Sequence, residues 1–460
     1  MNLLIKNGTI VTPEGMARRD LRVENEKITA VEENIPEKGG PSYDEIIDAS
    51  GKYILPGIID AHTHYHLESR GTVTADGFFS GSRAAAFGGV TTAIDFADQL
   101  PGKSLAQASL ERAEAGEAEM VVDFALHQCI FNTSEGIERE LEELRSVGVT
   151  TVKIFTTYKR EGYFIGERGL KHLFAACRER DLMVTAHCED DDVIDRVSSQ
   201  YEGRAHPPEL HPILRPPEAE YAAIKMIGDL ARAAASPVYV VHLSSERGLD
   251  AVRELRDIGT RVVVETCPHY LLLTSELLKG KEAQKFIMTP PLRTGRDNEA
   301  LWKAVEQGEI DIIATDHCSF TREQKMRSDD CRTVLPGIPG TEELLPLVHN
   351  AGVVEKRIDL RRMVSLLSEA PARYFGLYPQ KGSLEPGTDA DIVIFDPEKK
   401  HTITNESQHT AAGYTPYHGT RVSGMPVMTI LRGSVIVRDG EFLGRKGQGR
   451  FLKAGPSSLF

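Results

Sequence analysis

Apolar positions fall into two styles along this chain. Near the start, short alternating runs at 3–6, 9–12, 21–24 and 27–31 are broken by turn residues such as Asn7-Gly8 and Asn25-Glu26, the period-two pattern of a small antiparallel sheet. Runs at 391–395, 427–431 and 434–438, the last closed by Asp439-Gly440, repeat that style near the end. Neither group is large enough to bury a core alone, so the two ends are expected to pair into one β-sandwich of residues 1–55 and 380–460. The middle, 56–379, reads differently. Continuous β-branched runs at 54–61, 90–96, 121–126, 149–155, 182–187, 238–243, 261–266 and 310–315 alternate with helix-length segments such as 81–87, 134–146 and 218–235. Eight such units predict an α/β chain with a closed (β/α)8 TIM barrel. A doubly wound open sheet fits less well, because no Gly-x-Gly-x-x-Gly turn follows the first run and polar residues recur at the run ends.

Composition narrows the function classes. The chain has 460 residues, is 40% hydrophobic and contains 40 glycines, which places it among globular proteins. Its 54 basic and 68 acidic residues leave a charge of −14, which repels phosphate backbones and anionic lipid, so no nucleic-acid or membrane partner is expected. No run approaches the ~18 apolar residues of a spanning helix, and Leu3-Leu4-Ile5 is cut by Lys6-Asn7-Gly8 before it can serve as a secretory segment. Six cysteines without a C-x-x-C pair read as reduced thiols of a cytoplasmic protein.

Barrel chemistry collects where strands end, so polar residues closing apolar runs are the informative ones. The first run closes in Asp60-Ala61-His62-Thr63-His64, where a period of two sets both imidazoles on one face. The fifth closes in His187, the sixth in His242 and the eighth in Asp316-His317. Each alone is equally well a hydrogen-bonded histidine or a helix cap. Together they make a nitrogen and oxygen donor set suited to zinc or a similar divalent ion. Lys153 lies inside the fourth run, where burial penalises an ammonium. Two readings stand: an ion pair with a neighbouring acid, or a neutral amine that adds carbon dioxide and becomes an oxygen-donor bridge between cations.

Longer motifs carry a family resemblance. The string Pro56-Gly57-Ile58-Ile59-Asp60-Ala61-His62-Thr63-His64, Lys153, the run-ending histidines and Thr315-Asp316-His317 resemble the cyclic amidohydrolases of the amidohydrolase superfamily. Gly71-Thr72-Val73-Thr74, Asp76-Gly77-Phe78-Phe79-Ser80-Gly81-Ser82-Arg83, Glu265-Thr266-Cys267-Pro268-His269-Tyr270-Leu271, Thr289-Pro290-Pro291-Leu292-Arg293 and Ala314-Thr315-Asp316-His317-Cys318 are similar to the hydantoinase and dihydropyrimidinase branch. The likeness runs from about residue 3 to 453.

That resemblance implies a binuclear metal hydrolase opening hydantoin or dihydropyrimidine rings to N-carbamoyl amino acids. By position, His62, His64 and Asp316 would hold one zinc ion and His187 and His242 the other, with carboxylated Lys153 bridging the two. Asp316 would move the proton from the attacking water to the leaving nitrogen. Tyr158 would stabilise the oxyanion. Main-chain groups of Thr289 and Pro336 would hold the imide edge of the small cyclic amide, Pro336 standing where the branch has asparagine and so lacking an N–H. Phe155, with Tyr65, His66, Leu67, Glu68, Tyr163 and Phe164 on neighbouring loops, would face the exocyclic substituent. A homotetramer is implied too, with the basic tail 444–453 packing on a neighbouring subunit; read from composition alone that tail is a solvated one.

Two further functions remain. Gly337-Ile338-Pro339-Gly340-Thr341-Glu342 resembles an allantoinase loop, so an allantoinase-type cyclic ureide hydrolase is an alternative, whereas dihydroorotase is disfavoured by His66 where its substrate-binding arginine belongs. A non-catalytic scaffold relative is the other, against which stands the complete set of ligand positions.

Overall fold

The computed structural model describes residues 2–38, 42–133 and 135–460. Eight parallel strands run through its centre: β1 (Ile58–Thr63), β2 (Val90–Ala97), β3 (Asp123–Cys129), β4 (Thr151–Phe155), β5 (Met183–His187), β6 (Val238–Val240), β7 (Val262–Thr266) and β8 (Ile312–Ile313). They pair in chain order. The outer two meet where Thr63 bridges His317 in parallel and the His64 N–H donates to the His317 carbonyl at 2.7 Å, so the sheet curls into a barrel.

Several runs differ from their sequence reading, the third by running on to Cys129. The 54–61 run is two strands: Tyr53–Pro56 pairs with Ile392–Phe395 among the chain ends, and only Ile58–Thr63 enters the barrel. Gly57 makes the step between them, since a Cβ there would lie 2.0 Å from Thr91 Oγ1. The sixth and eighth runs stop early because His242 and Asp316 take left-handed φ values of 39° and 50°, which no strand continues through. The expected 134–146 helix is Ile137–Ser146, and Ser134 lies outside the described residues. The expected 218–235 helix starts on Pro217, whose missing N–H is no loss in a first turn.

Strand alternation divides the core. Ile59, Ala61, Ile94, Ala125, Met183, Tyr239, Val263 and Ile312 fill the barrel as one cluster, closed below by Phe375, Leu377 and Leu452. The opposite faces pack under the surrounding helices with Val90, Leu126, Val152, Val184 and Val264. At the top of β1 the register slips: Asp60 pairs with Ala93 but Thr63 with Asp95, so β1 carries one extra residue. Such a bulge re-aims the side chains beyond it, and it turns His62 and His64 toward the barrel mouth although Ile59 and Ala61 face inward below them.

The chain ends build a four-stranded and a seven-stranded sheet. They are mixed rather than antiparallel, because Leu3–Lys6 lies parallel to Glu45–Asp48 and Thr9–Val11 parallel to Tyr53–Pro56. Asn7 at φ 65° passes the chain from one sheet to the other instead of closing a hairpin. Barrel and sheets are tied by a buried charge cluster in which the Lys381 ammonium reaches Asp123 at 2.6 Å, Asp391 at 2.7 Å and Asp389 at 3.0 Å, while Arg432 also pairs with Asp123. Removing one partner would strand uncompensated charge in the interior. The basic tail is not free: Phe451 bridges Phe124 and Leu452 N–H donates to the Phe124 carbonyl at 2.7 Å, while Arg445, Lys446, Arg450 and Lys453 stay exposed. No helix among the described residues is long and apolar enough to cross a membrane.

Candidate active site

One cavity of about 390 Å³ opens at the C-terminal ends of the strands, and His62, His64, Lys153, His187, His242, Asp316, Tyr158, Thr289, Pro336 and Phe155 all line it. Residues spread from 62 to 336 thus meet at one rim, as barrel topology allows. Of the substituent-facing candidates, Leu67, Glu68 and Tyr163 also line it. Tyr65, His66 and Phe164 do not. Tyr65 is fully buried, packed where Gly81 leaves room for its ring. His66 stacks on Phe78 instead, and Phe164 lies under the Lys159 ammonium.

The imidazoles are held by carboxylates behind them. His62 Nδ1 donates to Glu265 Oε1 at 2.8 Å, and Glu265 also accepts from the Tyr239 hydroxyl at 2.7 Å and the His242 N–H at 2.9 Å. His187 Nε2 donates to Glu189 Oε2 at 2.8 Å, itself clamped by Arg215. A carboxylate only accepts, so each pairing puts the proton on the rear nitrogen and leaves a lone pair on the other. His62 Nε2 and His242 Nδ1 are buried without a hydrogen-bond partner. Ordinary buried polar atoms are satisfied, and orphaned imidazole nitrogens beside a carboxylate fit a cation. Donor atoms of His62, His64 and Asp316 lie within 4.8 Å of one another, with Asp316 Oδ1 3.2 Å from Nε2 of both histidines.

Electrostatics point the same way. Burial pushes His64, His187 and His242 below the usual imidazole range, which keeps them neutral and able to donate lone pairs. Burial would raise Asp316, but His62, His64 and His242 outweigh it and hold the carboxyl well below its ordinary value. Lys153 is lowered by burial against the opposing pull of Asp316. Its Nζ lies 5.2 Å from the Phe96 ring centroid and 5.4 Å from that of Phe155, and among the described residues no carboxylate comes within ion-pair distance, which counts against the simple ion-pair reading.

Tyr158 sits at φ 66°. With Arg70, His242 and Asp316 it makes four non-glycine residues lining this cavity in the left-handed region, each costing on the order of 1–3 kcal/mol. Burial raises its hydroxyl to about 12, so it remains a donor at neutral pH. Glu189 and Arg215 had no part in the sequence reading, and Glu265 entered it only as the first residue of a motif, with no role; Glu189 stands two residues past His187, but its pairing is visible only in space. Asp98, Phe131 and Arg70, which also line the cavity, were missed as well, although Asp98 follows directly on β2 and the rule about strand ends would have found it.

Residues 53–436 match the model of the amidohydrolase family. The chain belongs to the amidohydrolase family. Among its relatives, this amidohydrolase is 38% identical over 459 residues to a D-hydantoinase of Ralstonia pickettii, covering 98% of this chain and 99% of the relative. Among solved structures it superposes on D-hydantoinase from a Bacillus sp. AR9 with a TM-score of 0.95 at 35% identity, and on dihydropyrimidinase from Brevibacillus agri NCHU1002 with 0.94 at 34%, each over 99% of both chains.

Proposed function

We propose that this amidohydrolase is a binuclear-metal enzyme that opens five- or six-membered cyclic amides, hydantoin or dihydropyrimidine rings, to N-carbamoyl amino acids. The carrying observation is the convergence of His62, His64, Lys153, His187, His242 and Asp316 on one cavity, with buried imidazole nitrogens left unpaired. His62, His64 and Asp316 would hold one divalent ion and His187 and His242 the second, with carboxylated Lys153 as a donor they would share; the nitrogen-rich donor set suits zinc. Such ions, when bound, lower the pKa of a shared water and polarise the ring carbonyl.

The chain's own groups do the rest. Asp316 accepts the proton of the attacking water and passes it to the departing ring nitrogen. The Tyr158 hydroxyl donates to the oxygen on which charge develops. Pro336 offers only a carbonyl to the ring, so it accepts from a ring N–H, while Thr289 supplies the main-chain contact opposite. Phe131, Phe155 and Tyr163 form an aromatic wall for the exocyclic substituent.

An allantoinase-type reading is weaker, because the relatives of this length carry hydantoinase names. We assign residues 56–379 to the catalytic barrel and 1–55 with 380–460 to the sandwich, a division supported by the pairing of Tyr53–Pro56 with Ile392–Phe395. A cytoplasmic homotetramer completes the proposal, the six buried free thiols agreeing with a reducing compartment. The test is a parallel assay of zinc-loaded protein on dihydrouracil, hydantoin, a 5-aryl hydantoin, allantoin and dihydroorotate. Opening of hydantoin or dihydrouracil is expected; turnover of allantoin alone would select the alternative, and no turnover with no bound metal would leave a scaffold.

A further inference from the structure

Lys325 is wholly buried at the end of the short helix Arg322–Lys325, and among the described residues it pairs with neither a metal-ligand candidate nor a carboxylate. Its ammonium instead donates to three backbone carbonyls: Ile287 at 2.6 Å, Leu335 at 2.7 Å and Gly337 at 2.9 Å. Three donors and three acceptors match one for one.

The acceptors are what matter. Leu335 and Gly337 flank Pro336, and Ile287 lies two residues before Thr289, so one cation joins the two segments that carry the ring-edge contacts. The Gly337 N–H strengthens that joint by donating to the Ile287 carbonyl at 3.0 Å. Gly337 has φ 141°, and a Cβ there would lie 2.4 Å from the Cys318 carbonyl, so the loop cannot shift sideways to relieve a change. The neighbouring Met288 carbonyl is taken by His211 Nε2 at 2.9 Å. With the carbonyls around them committed, Thr289 and Pro336, with Gly337, are the residues of these segments that line the cavity. Burial draws the Lys325 ammonium down to about 7, while three carbonyl dipoles favour its charged form.

We propose that Lys325 is a positioning residue for substrate: it orients the peptide groups around Thr289 and Pro336 so that both face the imide edge of the ring. The proposal rests on the cyclic-amide reading of the site and adds a residue to it. It acts on binding of the ring rather than on bond cleavage, so its loss separates the two kinetic constants.

The experiment is Lys325→Met, which keeps the stem and removes the donors. Metal content equal to wild type, KM for the preferred ring raised about tenfold or more, and kcat within about threefold are expected, the scale of one ring-edge hydrogen bond misplaced. Backbone hydrogen exchange in 286–290 and 334–338 should quicken together. Unchanged KM with unchanged exchange overturns the proposal, as does a fall in kcat accompanied by metal loss. If the wild-type chain opens no cyclic amide, the functional reading fails while exchange still judges the link between the two segments. Should Lys325→Met not fold, wild-type protein saturated with the cyclic imide glutarimide decides: both segments protected together supports the proposal, and protection of one alone refutes it.

Discussion

Glu265 stands 2.8 Å behind His62, its Oε1 accepting from Nδ1, and so determines which imidazole nitrogen is offered to the cavity. The same carboxylate orients His242 through its backbone N–H, coupling β7 to donors on two other strands. Glu265→Gln is expected to weaken metal affinity by about 10–100-fold, the scale for losing an acidic partner behind a ligand histidine. Metal titration of chelated protein checks this. Unaltered affinity would make Glu265 a packing residue.

Tyr158→Phe removes one hydroxyl and leaves the ring against His187, 5.6 Å between centroids. Turnover is expected to fall by about 10²-fold with metal content intact, as for a lost oxyanion donor. A steady-state assay beside elemental analysis separates this from collapse of the site.

Lys153→Ala should empty at least one metal position and abolish turnover. Metal analysis of the purified variant is the direct measurement, and normal content there would exclude a bridging carbamate.

Glu343 gives a pH-dependent prediction away from the rim. It is buried and accepts from the Thr415 hydroxyl at 2.6 Å, and burial, reinforced by Glu342, raises its carboxyl from 4.5 to about 7. Between those values the folded state keeps a proton that the unfolded chain has released, so stability falls as pH rises through that window. Glu343→Gln removes this slope. The variant should gain about 3 kcal/mol over wild type at pH 8 and much less at pH 5, measured by urea unfolding of both proteins at each pH.

Much of the architecture is legible in residue order because parallel strands buried on both faces must be continuously apolar, and eight such runs leave few topologies. What stays hidden is local. Ile54-Leu55 and Ile58-Ile59 have the same character, and only Pro56-Gly57 marks where the chain leaves one sheet for another. The left-handed backbone of His242 and Asp316 is only weakly signalled by residue type, since neither is glycine although aspartate and histidine enter that region more readily than most. Pairings such as Glu189 with His187, or Lys325 with the Ile287 carbonyl, depend on where a fold puts a side chain. The likeness to known motifs marks ligand positions, whereas the groups that hold those ligands either lie outside the motifs, as Glu189 and Arg215 do, or stand in one without a visible role, as Glu265 does.

One edge of the strand Tyr53–Pro56 is covered by Thr9–Val11, but the other finds its neighbour at Ile392–Phe395, so a nascent chain exposes this second apolar edge until almost all of it has left the ribosome. Contacts this distant in sequence close slowly, and unpaired edges associate with one another meanwhile. Expression yield should therefore respond to chaperone supply and translation speed more than to equilibrium stability.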